Sequence, residues 1–284
     1  MKQSEPRGLP AYAPLVYPLV MLGVFFVVPF GIMIAVSFYR RVPGAFYEPG
    51  FVLDHYARFV SPFFLEVLGF SLYLSALVAV VCVAVGFPFT YVLTGLGRRA
   101  QVVWLVLLLS ILSLSEVIIG FSWSMLLSRT AGISNLLVRL GLMADPVAWS
   151  PGFAALLLGM CYLAFPYTVL VLYPALSRLD PEVPEAARML GASPLRTFFT
   201  VIVPMLRNSV LATLIMVFVF SLGVYLLPQV LGRPQHWTLS VLVTDQALFQ
   251  TNLPFASAMA VFFMLVSLAL VALTIALGKP RRSE

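Results

Sequence analysis

Glu116 is the side chain whose type and surroundings most clearly indicate chemistry. It lies in an otherwise uncharged apolar stretch, residues 100–128, where an ionised carboxylate costs about 2.5–3.5 kcal/mol on insertion scales unless it faces a cavity or a partner. On a helix, Ser113 and Trp123 share its face, and a carboxylate beside an aromatic ring suits an ammonium group because the ring adds cation–π attraction. A place in a cation pathway and a structural role, as an interface partner or a protonated hydrogen-bonded group, both fit this pattern.

Gly223 and Asp245 are further candidates for the same pathway. Gly223, with Pro228 and Gly232, predicts a break in the fifth span near its outer end that frees backbone carbonyls toward a cavity, although a simple kink fits the same residues. Asp245 lies in an apolar stretch too short to cross a membrane, residues 238–249. It either lines an entrance or belongs to a solvated face.

The sequence has no pattern typical of a metal or catalytic site. No cluster of Cys, His and carboxylate residues has metal-ligand spacing, and no Ser, His and Asp set falls on one side of the predicted membrane. No G-x-x-x-x-G-K-[ST] phosphate loop occurs. We therefore predict that the chain is not an enzyme, has no metal or cofactor of its own and carries no fused ATPase.

Residues 180–204 form a loop with unusually ordered local signals, and we call this segment the elbow. Each of two predicted short helices begins with a capping residue followed by proline, at Asp180–Pro181 and at Ser193–Pro194. Gly191 lies between them, where a left-handed residue would end the first helix. Two helices meeting at a sharp bend are predicted, and such order in a connector indicates a docking site.

The composition of the chain predicts the helices that position the candidate residues. Of 284 residues, 61% are apolar and 10% are charged, against roughly 45–50% and 25% in soluble domains. The uncharged runs are long enough for helices that cross a bilayer. We predict an all-α polytopic membrane protein with one membrane domain, residues 1–284, and six transmembrane helices at about 14–38, 64–94, 102–127, 151–176, 206–230 and 255–277.

The distribution of basic residues predicts the orientation of the chain. With an even number of spans both termini share one side, and eleven of the 17 Lys and Arg residues fall on that side. Basic loops are retained in the cytoplasm, so both termini and the elbow are predicted to be cytoplasmic. Anionic membrane lipid accounts for the net charge of +6 without nucleic acid as a partner.

The elbow resembles a known motif. Glu185-Ala186-Ala187, three residues, Gly191, nine residues, and then Val201, one residue and Val203-Pro204 are similar to the EAA loop of permease subunits in bacterial ATP-binding-cassette (ABC) importers, E-A-A-x3-G-x9-I-x-L-P. Only Ile→Val and Leu→Val departures occur.

The resemblance implies an importer-permease fold with a coupling helix that inserts into a cleft of a cytoplasmic ATPase subunit. The implied contact residues are Glu185, Ala186, Ala187, Leu190, Gly191 and Pro204. The implied partners are a second permease subunit, either a paralogue or a second copy, two ATPase subunits that bind ATP and Mg²⁺, and an extracytoplasmic solute-binding protein. The implied location is the bacterial inner membrane.

Looser motifs are similar to those of the spermidine/putrescine-type permeases. They lie at residues 71–75, 86–89, 159–166 and 221–232. The resemblance implies import of a small solute, with a polyamine as the first expectation and ferric iron, aminoethylphosphonate or an opine as alternatives. A secondary carrier would instead be expected to have paired intramembrane charges and an inverted repeat, and neither is found.

Overall fold

In a computed structural model, the described residues, 13–42, 46–130 and 132–278, are largely helical and include no β-strand. One isolated antiparallel bridge joins Arg40 and Glu48. The predicted all-α class is confirmed. The terminal residues that carry part of the basic charge lie outside the described ranges.

Four helices are long and apolar enough to cross a membrane, and the number rises to six if each of two bent helix pairs counts as one span. In this sense the predicted six spans are confirmed. In chain order the helices are α1 (Val16–Val36), α2 (Asp54–Ala57), α3 (Pro62–Thr94), α4 (Arg98–Leu112), α5 (Glu116–Leu126), α6 (Ile133–Arg139), α7 (Phe153–Leu176), α8 (Glu182–Met189), α9 (Pro194–Met205), α10 (Arg207–Gly223), α11 (Leu226–Leu231), α12 (Leu239–Thr244) and α13 (Leu253–Gly278).

The third span differs from the prediction of one continuous helix at 102–127. It consists of α4 and α5, which meet at an angle of 93°. Two serines explain the break, because serine side chains compete with helical backbone hydrogen bonds. The Ser113 hydroxyl donates to the Leu109 carbonyl at 2.9 Å, and the Ser115 hydroxyl accepts from the Val117 N–H at 3.3 Å and so begins a new helix.

The fifth span also differs from the predicted helix at 206–230. It begins as α10 after a bend of 76° from α9, and it ends at Gly223. The chain then has an extended residue, Val224, before the short helix α11. A break near Gly223 was predicted, but Pro228 lies within α11 rather than at a break.

The chain divides into two compact units. The first comprises the chain up to Ser61 together with Val243–Met264. Within it, the Arg58 guanidinium lies 5.3 Å from the Phe255 ring centroid. The Phe59 and Phe262 rings are 5.2 Å apart. Aromatic packing therefore joins the segments of this unit.

The second unit comprises Pro62–Leu242 and the chain from Leu265 onward. Its largest buried cluster joins α3, α7 and α11 through fully buried aliphatic side chains. Leu74 and Val78 come from α3, Leu156 comes from α7, and Leu227 and Leu231 come from α11. The short helix α11 is thus packed into the core of this unit, although it is too short to cross a membrane.

Candidate functional site

The first half of the elbow forms as the sequence predicts. The Asp180 carboxylate accepts a hydrogen bond from the Glu182 N–H at 3.0 Å, although the helix begins one residue later than predicted, so that Pro181 is its N-cap. The helix ends at Met189, and Gly191 follows with a φ of +84°, in the left-handed region. The Gly191 N–H bonds to the Arg188 carbonyl at 2.9 Å, which satisfies a terminal carbonyl of α8. The predicted bend is confirmed.

The second half of the elbow begins at the predicted cap. The Ser193 hydroxyl accepts from the Arg196 N–H at 3.3 Å, and Pro194 takes the first helical position of α9. The chain continues through a π-helical turn, Phe198–Ile202, to the exposed Pro204. The bend of 76° into α10 follows, so the last motif residue precedes the point where the chain changes direction.

The elbow has a buried base and an exposed tip. At the base, Phe198 and Ile202 are buried in one cluster with Phe87, Leu172 and Leu176 of α3 and α7. None of the α8 residues at the tip is buried. Of the predicted contact residues there, Glu185 and Ala186 are exposed, Ala187 is half-buried, and Leu190 is 89% exposed. An anchored helix with a small-residue face and exposed apolar side chains has the geometry of a docking element.

The sequence predicted that Glu116 lies inside a continuous helix. It is instead the first residue of α5, directly after the bend in the third span. It is half-buried. One carboxylate oxygen, Oε1, accepts from the Leu226 N–H at 3.0 Å and from the Leu227 N–H at 3.2 Å. The carboxylate thus caps the start of α11, where helical N–H groups lack internal partners and negative charge is favoured.

The break in the fifth span is held on both sides by side chains from other helices. On its α11 side the partner is Glu116; on its α10 side the Ser240 hydroxyl donates to the Leu222 carbonyl. Gly223 is exposed at the break, and a Cβ there would have open space around it. Tyr225 is 38% exposed beside it. The break is therefore a defined structure with one accessible side.

Helix α11 is held closely by its neighbours. A Cβ added at Gly159 of α7 would overlap the Leu231 side chain, and one added at Gly120 of α5 would lie 3.5 Å from Leu227. The Leu231 carbonyl accepts from the Gly152 N–H at 2.8 Å. The sequence did not indicate this contact: Gly159 is the first residue of the motif at 159–166, and its packing against Leu231 depends on a distant part of the chain.

Trp123 has a different environment from the one that the sequence predicted. Its ring packs edge-on against the Tyr162 ring, with centroids 5.6 Å apart. It lines an apolar cavity of about 440 Å³ between α3, α4, α5 and α7, which both cysteines, Cys82 and Cys161, also line. Glu116 is not among the described residues that line this cavity. The two predicted partners, carboxylate and indole, therefore face different surroundings.

The remaining predicted pathway residues are Ser113 and Asp245. Ser113 follows the end of α4, so it does not share a helix face with Glu116 as predicted. Asp245 belongs to the first unit. There it is half-buried, and its backbone carbonyl accepts from the Gln250 N–H at 2.9 Å. Among the described residues, no group of three or more His, Cys, Asp or Glu side chains is placed to hold a metal.

Comparison with known families gives one match that spans nearly the whole chain. Residues 11–282 match the family described as "Binding-protein-dependent transport system inner membrane component". A solved structure of a bacterial ABC transporter involved in the import of the acidic polysaccharide alginate has a similar fold. The TM-score is 0.76 over 96% of each chain, at 19% identity.

Curated relatives are permease proteins. The chain is 27% identical over 245 residues to the spermidine/putrescine transport system permease protein PotB of Escherichia coli, covering 86% of this chain and 89% of that protein. It is 25% identical over 171 residues to the putative ferric transport system permease protein FbpB 1 of Haemophilus influenzae, covering 60% of this chain and 27% of that protein.

Proposed function

The chain belongs to the family of binding-protein-dependent transport system inner membrane components, and on that premise we propose that it is the permease subunit of an ABC importer for a polyamine such as spermidine or putrescine. The similarity to PotB over most of both chains supports this substrate class. The chain supplies the membrane passage and performs no catalysis; a separate ATPase subunit binds ATP and Mg²⁺.

We propose that both termini and the elbow face the cytoplasm, as the distribution of basic residues favours. The chain assembles with a second permease subunit, which is a paralogue or a second copy, with two cytoplasmic ATPase subunits and with an extracytoplasmic solute-binding protein. Closure of the ATPases on ATP pushes the elbow. The permease pair then opens outward to receive the solute, and it releases the solute to the cytoplasm when the ATPases reopen.

The elbow is the proposed contact with the ATPase. Its exposed tip, with Glu185, Ala186, Ala187 and Leu190, inserts into the ATPase subunit. Gly191 fixes the direction of this tip, because its left-handed conformation ends α8. Pro204 precedes the bend into α10 and marks the point where the motion enters the span.

The main structural support for a cationic substrate is the position of Glu116 at the break of the fifth span. The break brings together the carboxyl end of α10, which carries partial negative charge, and the amino end of α11, which carries partial positive charge. The Glu116 carboxylate offsets the positive end, so the break has an excess of negative potential. The carboxyl ends of broken transmembrane helices coordinate cations.

The proposed solute pathway therefore runs along the break, with Glu116 and the exposed Gly223 at its wall. Ser113 and Trp123 lie on either side of Glu116 in the third span, and each is proposed to contact the solute at another point of the pathway. Asp245 is proposed as an entrance residue, because a carboxylate attracts polyamines. Ferric iron is the second candidate substrate, because FbpB 1 is also a relative, although the match spans only 27% of that protein.

The test is uptake into vesicles that contain the whole complex. Glu116→Gln keeps the size of the side chain and an oxygen that accepts hydrogen bonds, but it removes the charge. We expect uptake of labelled spermidine to fall several-fold while assembly is preserved. The matched control is Glu66→Gln, because Glu66 is an exposed carboxylate near the start of α3. Equal uptake by the wild type and the Glu116→Gln variant would contradict the cation pathway.

A further inference from the structure

We propose that Gln101 and Tyr173 are positioning residues that make the start of α4 move as one body with the elbow. The inference deepens the proposed function and rests on it, because an ATPase must drive the elbow for the motion to matter. It identifies α4 as the helix that receives the motion of the elbow. Neither the family nor the motif assigns this role to a helix.

The Gln101 side chain joins three parts of the fold. Its amide nitrogen donates to the Thr94 carbonyl at 3.0 Å and to the Leu96 carbonyl at 2.8 Å. Its amide oxygen accepts from the Tyr173 hydroxyl at 2.7 Å. Thr94 is the last residue of α3, where terminal carbonyls lack helical partners. One amide thus satisfies the end of α3, fixes the turn to α4 and bonds to α7.

Apolar packing strengthens this junction. Leu93 of α3, Leu108 of α4 and Val169 of α7 form one buried cluster. The Tyr173 ring packs against that cluster, while its hydroxyl reaches Gln101. The same side chain therefore contributes both to the packing and to the hydrogen bond, and the three helices are joined over more than one turn.

A second buried cluster continues from α7 to the elbow. It joins Leu172 and Leu176 of α7 to Phe198 and Ile202 of the elbow. Leu172 is adjacent to Tyr173 in the chain, so the two clusters meet on α7. Packed side chains and hydrogen bonds form an unbroken series from the elbow through α7 to α4, which is the kind of contact network that carries a displacement.

Two bends limit the group of helices that moves together, which consists of the elbow, α7 and α4. The chain changes direction by 76° between α9 and α10 and by 93° between α4 and α5. Neither bend lies between the elbow and Gln101. A push on the elbow therefore displaces α4 together with α7, and the change in angle occurs at Leu206 and at residues 113–115. The second bend immediately precedes Glu116, so the displacement reaches the proposed pathway.

Pulsed spin-label distances test this inference in the complex with its ATPase subunits. One label is placed on the elbow by Glu182→Cys and one on an exposed position of α4 by Val103→Cys, after both native cysteines are replaced by alanine. Distances are compared without nucleotide and with ATP and vanadate. With the native Gln101–Tyr173 contact, we expect the distance to change by less than the roughly 1–2 Å of typical helix shifts.

Tyr173→Phe removes the hydroxyl but keeps the ring that packs in the cluster. We expect it to broaden the distance distribution without nucleotide and to allow a shift upon trapping, with less solute transported for each ATP hydrolysed. Tyr167→Phe is the matched control, because Tyr167 is also in α7 and its hydroxyl has no hydrogen bond to any described residue. Its ring stacks on Phe220 at 4.9 Å.

Two results would overturn the inference: a distance that shifts when the contact is intact, or a Tyr173→Phe variant that matches the Tyr167→Phe control in both states. A complex that transports no polyamine contradicts the proposed substrate but not this inference. The distributions without nucleotide still decide whether the hydroxyl holds α4 to the elbow.

Discussion

The Glu116 carboxylate accepts a hydrogen bond from the Leu226 N–H at 3.0 Å, across 110 positions of sequence. This contact joins the break in the third span to the break in the fifth. Glu116 therefore has a structural partner, and its carboxylate lies at the accessible break in the fifth span. The structural and pathway roles that the sequence left open are therefore compatible.

The first prediction separates these two roles by stability. Glu116→Leu leaves the Leu226 and Leu227 N–H groups without their acceptor. An unsatisfied buried donor costs about 1–3 kcal/mol, so we expect the free energy of unfolding and the thermal midpoint to fall. Glu116→Gln keeps an acceptor and is expected to be closer to wild type in thermal unfolding, while still losing uptake.

Glu66→Leu controls for the loss of a carboxylate at an exposed position of α3. If Glu116→Leu unfolds at the same temperature as Glu66→Leu, the cap contributes nothing measurable.

The second prediction concerns the close contact between α7 and α11. Gly159→Ala places a methyl group against the Leu231 side chain, and overpacking of this kind typically costs about 1–3 kcal/mol. We expect lower thermal stability. Leu231→Ala in the same chain relieves the overlap. The double variant should therefore lose less stability than the sum of the losses in the two single variants.

Gly69→Ala is the control for that series, since a Cβ at Gly69 of α3 meets nothing within 4 Å. Additive effects of Gly159→Ala and Leu231→Ala would show that the two residues do not oppose each other.

The third prediction concerns the charge on the elbow. Glu185→Lys reverses the charge of an exposed motif residue, and we expect recovery of the ATPase subunit during co-purification to fall several-fold. Glu182→Lys is the control. Both acids lie in the first turn of α8, so replacing either one by lysine destabilises the helix by a similar amount. Equal recovery of the ATPase subunit with the two variants would show that Glu185 contributes no more to ATPase binding than Glu182 does.

The fourth prediction uses the left-handed residue of the elbow. Gly191→Ala forces a side chain into this conformation at a cost of about 1–2 kcal/mol, and Gly191→Pro cannot adopt it because proline fixes φ near −65°. Gly191→Asn is better tolerated. We expect ATPase recovery to decrease in the order wild type, Asn, Ala, Pro. Normal recovery with Gly191→Pro would contradict the role of the bend.

The sequence predicted the elbow well because its signals are local. The Asp180 and Ser193 side chains accept from N–H groups of the next turn, and Pro194 and Gly191 each act through their own φ. Each of these effects depends on a few neighbouring residues. The structure therefore agrees with the prediction to within one residue at the start of α8.

The spans were harder to predict where their breaks depend on distant partners. Ser113 and Ser115 lie in a run so apolar that hydropathy alone indicates one helix. The acceptor for the Leu226 N–H is Glu116, on another helix. No local pattern indicates that contact. The helix face that was predicted to join Ser113 to Glu116 was wrong, because the helix is interrupted between these two residues.

Polyamine import is measured most directly as ATP-dependent uptake of labelled spermidine into vesicles that contain the permease pair, the ATPase subunits and the cognate solute-binding protein. Labelled ferric iron is measured in parallel. We expect spermidine to accumulate only when both ATP and the binding protein are present, and ferric iron not to accumulate. Uptake of ferric iron without uptake of spermidine, or uptake of spermidine that needs neither ATP nor the binding protein, would contradict the proposed function.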